Sequence, residues 1–273
     1  MSAPHTLVHC IRHWAEKTPS RPALHGKRGG VWHARSWSEY WENVRALGKA
    51  FIALGVEPSE CVTFCGRNDP AWIELQFGLQ AARGIPAPIY ATNTKEQAAY
   101  IVSDSRARIA IVDAENQLDK LLSAEKAGLF PQLSHIIVYA PQGRPSDPRV
   151  RTFDECLALG RSEPDAELDR RLDALTGGET CQLIYTSGTT GQPKGVELSH
   201  TGQLSIGHAV VKRFPLVATQ DAYIALSYLP LCHQAEQLFT SVFSLVTGGQ
   251  VYFCPDVGQI KDYLVEVRPT VFL

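Results

Sequence analysis

Apolar positions along this chain recur at two spacings, and the two alternate. Tyr40, Val44, Leu47, Phe51 and Leu54 fall on one face of a helix, and Ser36 followed by Glu39 forms a capping box at its start. Cys61 to Cys65 is a short apolar run that reads as a buried strand. Asp69-Pro70 then supplies a cap and a first-turn proline for a helix over 71–82, which Gly84 should end. Upstream, 7–17 reads as a first helix. Downstream, 85–90 reads as a strand, Thr94 and Gln97 cap another helix, and 108–112 and 136–139 bracket a helix beginning near Glu115.

This alternation predicts an α/β fold of layered, mostly parallel sheets flanked by helices. A proline-rich polar loop over 141–148 and a charged stretch over 161–180 interrupt it. We place a boundary there, giving a first α/β subdomain over 1–160 and a second over 161–273. In the second, Cys181 to Tyr185 reads as a strand, a helix begins near Thr201, and 222–227 is a strand. Leu229 to His233 turns the chain into a helix running to about Leu245. A strand over 250–253, a helix over 260–267 and a strand opening at Thr270 follow.

The candidate chemistry lies where the 181–185 strand ends, in Tyr185-Thr186-Ser187-Gly188-Thr189-Thr190-Gly191-Gln192-Pro193-Lys194-Gly195-Val196. Glycines let backbone N–H groups turn inward, and hydroxyls and a lysine add donors and positive charge, which together suit a polyanion. A Walker loop is excluded, because Gln192-Pro193 separates Gly191 from Lys194 and a glycine follows the lysine. A surface linker shares this composition, yet it rarely sits between two apolar segments.

Composition narrows the setting. The net charge of −2, with no basic block, argues against nucleic acid as a partner. Seven scattered cysteines without paired spacing suggest reduced thiols, and no signal peptide or membrane-length apolar run appears. We therefore expect a cytoplasmic protein, with peripheral membrane contact and oligomeric state left open. His5, His9 and His13 lie on one helix face, but three such ligands span about 12 Å, too far for one ion.

The 185–196 segment resembles the phosphate loop of the adenylate-forming (AMP-binding) enzymes, and Ser199-His200 fits the same pattern. Leu226-Ser227-Tyr228-Leu229-Pro230-Leu231-Cys232-His233-Gln234-Ala235-Glu236-Gln237 resembles a second signature of that superfamily in its long-chain acyl-CoA synthetase form. Pro86 to Thr94, Tyr100 to Ser105 and Gly66 to Trp72 are similar to the bubblegum-type branch of those ligases. The resemblance implies activation of a long-chain fatty acid by ATP to acyl-AMP, then transfer to coenzyme A. It implies phosphate contacts from Thr186, Ser187, Gly188, Thr189, Thr190, Gly191 and Lys194, and magnesium (Mg2+) near Thr186. It also implies a catalytic, substrate-side role for His233. Glu236 reads either as a partner of that turn or as a first-turn acid favoured by the helix dipole.

The family's adenine-binding segment, ribose-binding Asp, hinge and C-terminal domain with its lysine have no counterpart in these residues. The resemblance thus implies a truncated amino-terminal domain, inactive by itself. The alternatives are a short non-catalytic ATP- or acyl-binding protein and a fatty acyl-AMP ligase.

Overall fold

A computed structural model describes residues 4–143, 146–186 and 192–272 of the chain. Helix α1 (Leu7–Lys17) precedes a hairpin, β1 (Pro22–Arg28) and β2 (Val31–Ser36), and then α2 (Trp37–Ala53). The hairpin is absent from the sequence-based expectation. Its signal is the Gly29-Gly30 turn, both residues at positive φ, as a two-residue hairpin turn requires. There follow β3 (Cys61–Cys65), α3 (Pro70–Ala81), β4 (Ile85–Ile89), α4 (Lys95–Asp104), β5 (Ile109–Val112), α5 (Glu115–Lys126), β6 (His135–Val138) and β7 (Val150–Thr152). Helices α6 (Phe153–Ser162) and α7 (Ala166–Ala174) lead to the hairpin β8 (Thr180–Thr186) and β9 (Lys194–Ser199), and then to α8 (His200–Arg213). The chain continues with β10 (Ile224–Ser227), a broken helix, β11 (Gln250–Phe253) and α11 (Ile260–Val267).

Capping explains where the helices start. Ser36 with Glu39, Thr94 with Gln97 and Thr152 with Glu155 each close a reciprocal capping box, and Asp69 caps α3 with Pro70 in its first turn. The expected end of α3 is corrected. The left-handed residue is Arg83, φ 64°, held by an ion pair to Glu179 at 3.0 Å, rather than Gly84. Gly84 is needed for packing instead, since a Cβ there would lie 2.4 Å from Leu79 Cδ1.

Strands β4-β3-β5-β6-β7 form an all-parallel sheet, as the βαβ alternation predicts. A second sheet, β10-β11-β1-β2, joins strands from both ends of the chain, with only the β1–β2 pair antiparallel. The boundary placed at 160/161 falls inside α6. Helix α3 is buried along its whole length between these layers, so its sequence is apolar all round rather than amphipathic. One core cluster runs from α1 through α2 and α3 to β11, and a second packs α4 and α5 on the parallel sheet. The segment opened at Thr270 forms one isolated parallel bridge, Ala225 to Val271.

Glu74, inside α3, has no exposed surface. Its Oε1 accepts from Asn43 Nδ2 at 2.8 Å and lies 2.9 Å from Arg35 Nε, while Oε2 has no hydrogen-bond partner. Burial outweighs the Arg35 charge and pushes the carboxyl up to about 7. A carboxyl raised on folding binds its proton more tightly in the folded state, so its contribution is present below the unfolded pKa and is lost as pH rises through 7. We expect Glu74→Gln to gain stability relative to the parent between pH 5 and pH 8, read as a widening Tm difference. A constant difference would show that Glu74 does not titrate in that window.

Candidate active-site cleft

Strand β8 delivers Thr186 to its exposed end, and β9 returns with Lys194 directly opposite it in register. This pairing is antiparallel, where the expectation was a strand followed by loop and helix. Tyr185 locks the hairpin down: its hydroxyl donates to Asp104 Oδ2 at 2.8 Å, and its ring lies over Gly195. A Cβ on Gly195 would meet that ring at 3.3 Å, a tight contact. Ser199 caps α8 by accepting from the Gly202 N–H, and the buried His200 accepts the Leu7 N–H on Nδ1. Ser187, Gly188, Thr189, Thr190 and Gly191 lie outside the described residues.

Beside the Thr186 end of β8 is a cleft of about 520 Å³ whose walls include Tyr90, Tyr185, Thr186, Pro193, His233 and Gln234. Two segments remote in sequence, each singled out by its motif, therefore meet at one cavity. Lys194 is exposed and is not among the described residues of the wall.

His233 is the N-cap of α9 (Gln234–Glu236), which runs into a π-helical stretch, Gln237–Val242, and then α10 (Phe243–Thr247). The expected single helix is thus broken in its middle. Ser244 turns its hydroxyl back to the Thr240 and Ser241 carbonyls, which competes with regular helix bonding, and the Ser241 hydroxyl donates to the Gln237 side chain. The His233 Nδ1 accepts the Ala235 N–H at 3.1 Å, leaving Nε2 to carry the proton of the neutral ring. The histidine is both a cap and part of the cleft wall. Beside it, Gln234 donates to Gln203 Oε1 at 2.8 Å and keeps a buried Oε1 with no partner.

The segment carrying Tyr90 is fixed from behind by residues that sequence reasoning did not single out. Lys120 donates to the Ala91 and Asn93 carbonyls at 2.8 and 2.9 Å. Gln117 donates to Ala91 O and accepts from the Cys65 thiol, which burial pushes up to about 12. The only sequence signal for Gln117 and Lys120 is their (i, i+3) spacing on α5, which any solvated helix also shows.

Glu236 is not a solvated first-turn acid: it is 3% exposed and accepts the Leu229 N–H at 3.2 Å. Two of the N-terminal histidines have protein hydrogen-bond partners. His5 contacts Leu175 O, His9 contacts Thr6 Oγ1, and the His5 and His9 rings stack at 4.5 Å.

Magnesium is held by hard oxygens, usually one or two carboxylates together with substrate phosphates and water. The described cleft wall offers the Thr186 hydroxyl and no carboxylate. These residues do not make a magnesium site by themselves, and no step below runs through the ion.

The AMP-binding enzyme family model matches residues 11–273. The chain belongs to the AMP-binding enzyme family. Long-chain-fatty-acid–CoA ligase ACSBG2 of Xenopus laevis is 36% identical over 274 residues, covering 99% of this chain and 37% of the relative. The Homo sapiens ACSBG2 is 34% identical over 273 residues, with 99% and 40% covered. The chain spans about two fifths of the length of these curated relatives. Among solved structures, the anthranilate CoA ligase AuaEII in complex with anthranoyl-AMP superimposes with a TM-score of 0.82 at 20% identity, over 99% of this chain and 50% of its own. A long-chain-fatty-acid CoA ligase described as putative, from Rhodopseudomonas palustris, gives 0.76 at 18% identity, over 95% and 60%. At these identities the structures establish the fold alone. As an AMP-binding enzyme, the chain places its Thr186 end and its His233 turn on the same cavity. Among its described residues, no helix is long and apolar enough to cross a membrane.

Proposed function

We propose that this chain forms the amino-terminal part of a long-chain fatty acid–CoA ligase. The observation that carries the reading is the meeting of Thr186 and His233 on one cleft, in a chain 36% identical to a ligase of that name. In the first half-reaction a fatty carboxylate oxygen bonds to the α-phosphorus of ATP and the bond to pyrophosphate breaks. In the second, the thiolate of coenzyme A bonds to the acyl carbon and AMP leaves. Free carboxylate is a poor acyl donor, and the mixed anhydride supplies the leaving group.

This chain's residues act by holding and orienting. Thr186 and the 187–191 loop donate to the β- and γ-phosphates. Lys194, exposed at the start of β9, adds charge at the rim. His233 offers its Nε2–H to the carboxylate end of the fatty acid while Nδ1 stays bound to the Ala235 amide. A cytoplasmic location goes with the seven free cysteines.

His233→Ala in the full-length protein should raise KM for fatty acid about tenfold and leave KM for ATP nearly unchanged. Loss of the cap should also lower stability by about 1 kcal/mol. Equal increases in both KM values would remove His233 from the acyl side. The reading as a whole is tested by incubating the full-length protein with ATP and a long-chain fatty acid, with and without coenzyme A. We expect acyl-AMP without the thiol and acyl-CoA with it. Acyl-AMP that persists in the presence of coenzyme A would favour a fatty acyl-AMP ligase. Binding of ATP or fatty acid without turnover would favour a non-catalytic binder.

A further inference from the structure

The turn that carries His233 is fastened from beneath by side chains that do not line the cleft. The Leu229 carbonyl accepts from Asn68 Nδ2 at 2.7 Å, the Pro230 carbonyl from the His233 N–H at 2.8 Å, and the Leu231 carbonyl from Gln237 Nε2 at 2.6 Å. Gln237 is itself paired with Gln76 of α3 at 2.9 Å. The Leu229 N–H donates to Glu236 Oε2 at 3.2 Å, and the Tyr228 N–H also bonds that carboxyl. The Thr240 hydroxyl donates to Oε1. Ser227 receives Asn68 Nδ2 at 2.9 Å and passes its own hydroxyl to Glu236.

A buried carboxylate without a cation is an expensive way to stabilise a fold, and a well-packed neutral side chain commonly does as well or better. What a carboxylate offers here is acceptor capacity. Two of its donors are backbone N–H groups that cannot reverse, and two are hydroxyls that can. An ionised Glu236 satisfies all four at once. A protonated acid or an amide points its donor at a hydroxyl, which must turn to accept it, and leaves the two backbone N–H groups on a neutral oxygen, without the added strength of bonds to a carboxylate. We propose that Glu236 is a positioning residue: its buried carboxylate, linked through Ser227 to Asn68, holds the 228–233 turn and so sets where His233 stands on the cleft wall. The proposal rests on the reading of His233 as a substrate-side group.

Burial pushes the Glu236 carboxyl up to about 7 against these hydrogen bonds, so lowering the pH from 8 to 6 neutralises it. The groups facing it are Ser227 from β10, the Tyr228 and Leu229 amides of the turn, Thr240 of the π-helical stretch and the Tyr223 phenol. That phenol donates to Phe239 O at 2.6 Å, and its pKa is raised by burial and by Glu236. By the same sign argument as for Glu74, neutralisation stabilises the fold as a whole. Global stability and local order of the turn therefore move in opposite directions, which a merely structural residue would not produce.

The test uses Glu236→Gln, which keeps the shape of the side chain. Amide hydrogen exchange at Leu229 is measured in residues 1–273, and affinity for a non-hydrolysable acyl-sulfamoyl adenosine in the full-length protein. At pH 8 we expect Leu229 to lose protection at least about tenfold, with Tm equal to or above the parent. We expect the probe to bind about tenfold more weakly. The parent should approach the variant's values at pH 6, and the variant should be flat with pH. Unchanged Leu229 protection, or a drop in Tm with protection lost throughout the chain, would overturn the proposal. If no form binds the probe while Leu229 still responds to Glu236, the ligase reading falls and the fastening of the turn stands.

Discussion

Thr186→Ala in the full-length protein should lower fatty-acid-dependent ATP–pyrophosphate exchange by about 10² to 10³, the usual cost of deleting one donor aimed at developing charge. The side chain stands exposed at the last position of β8, and the strand pairing beneath it is made by backbone. The substitution therefore removes a hydroxyl from the cleft without opening the core. Thr186→Ser, which keeps the hydroxyl, should recover most of the activity. Lys194→Ala should cost less than about tenfold, because an exposed lysine at the rim is strongly screened. A larger loss at Lys194 than at Thr186 would invert the assignment of the two residues.

The second large effect concerns the chain by itself. Purified residues 1–273 should give no detectable fatty-acid-dependent acyl-CoA, while the full-length protein turns over. The reason lies in the cleft. Its described wall contains a histidine, two tyrosines, amides and one threonine hydroxyl, but no lysine, arginine, aspartate or glutamate. Such a wall can position a carboxylate and a phosphate chain, yet it cannot neutralise a triphosphate in transit. The curated relatives are about two and a half times as long as this chain, as its coverage of 37% and 40% of their lengths implies. Robust turnover by residues 1–273 would show that the donors of the 187–191 loop and the charge of Lys194 suffice unaided.

How much of this was legible beforehand depends on the range over which each feature is decided. Helix starts are decided within four residues, and Ser36 with Glu39, Asp69-Pro70 and Thr94 with Gln97 mark them correctly. The strands Cys61–Cys65 and Gln250–Phe253 match their expected spans because each is a short apolar run bounded by turns. The β1–β2 hairpin does not declare itself because its strands are rich in Lys, Arg and His and β2 is a partly exposed edge. Strand β9 was overlooked for a related reason: it is largely exposed, and Lys194 to Ser199 alternates too weakly to declare itself. The break after Glu236 goes with the Ser244 hydroxyl returning to the Thr240 and Ser241 carbonyls, which helical spacing does not encode.

The site divides in the same way. Thr186 and His233 stood out because their motifs are local, and folding brings both to one cleft. Glu236 reads from the sequence only as one of two alternatives, and Asn68, Gln117 and Lys120 are not readable as supports. Their importance comes from burial and from partners such as the Leu229 amide and the Ala91 carbonyl, which no spacing rule reveals.

The central claim is that Thr186 and His233 share a cleft built to join a fatty carboxylate to AMP. Fatty-acid-dependent exchange of labelled pyrophosphate into ATP by the full-length protein tests it most directly, because it reports the first half-reaction without coenzyme A. The account predicts exchange that rises with a long-chain acid, is far weaker with acetate, and collapses in Thr186→Ala. Absence of exchange with fatty acids of every length, from a folded protein that binds ATP, would contradict it.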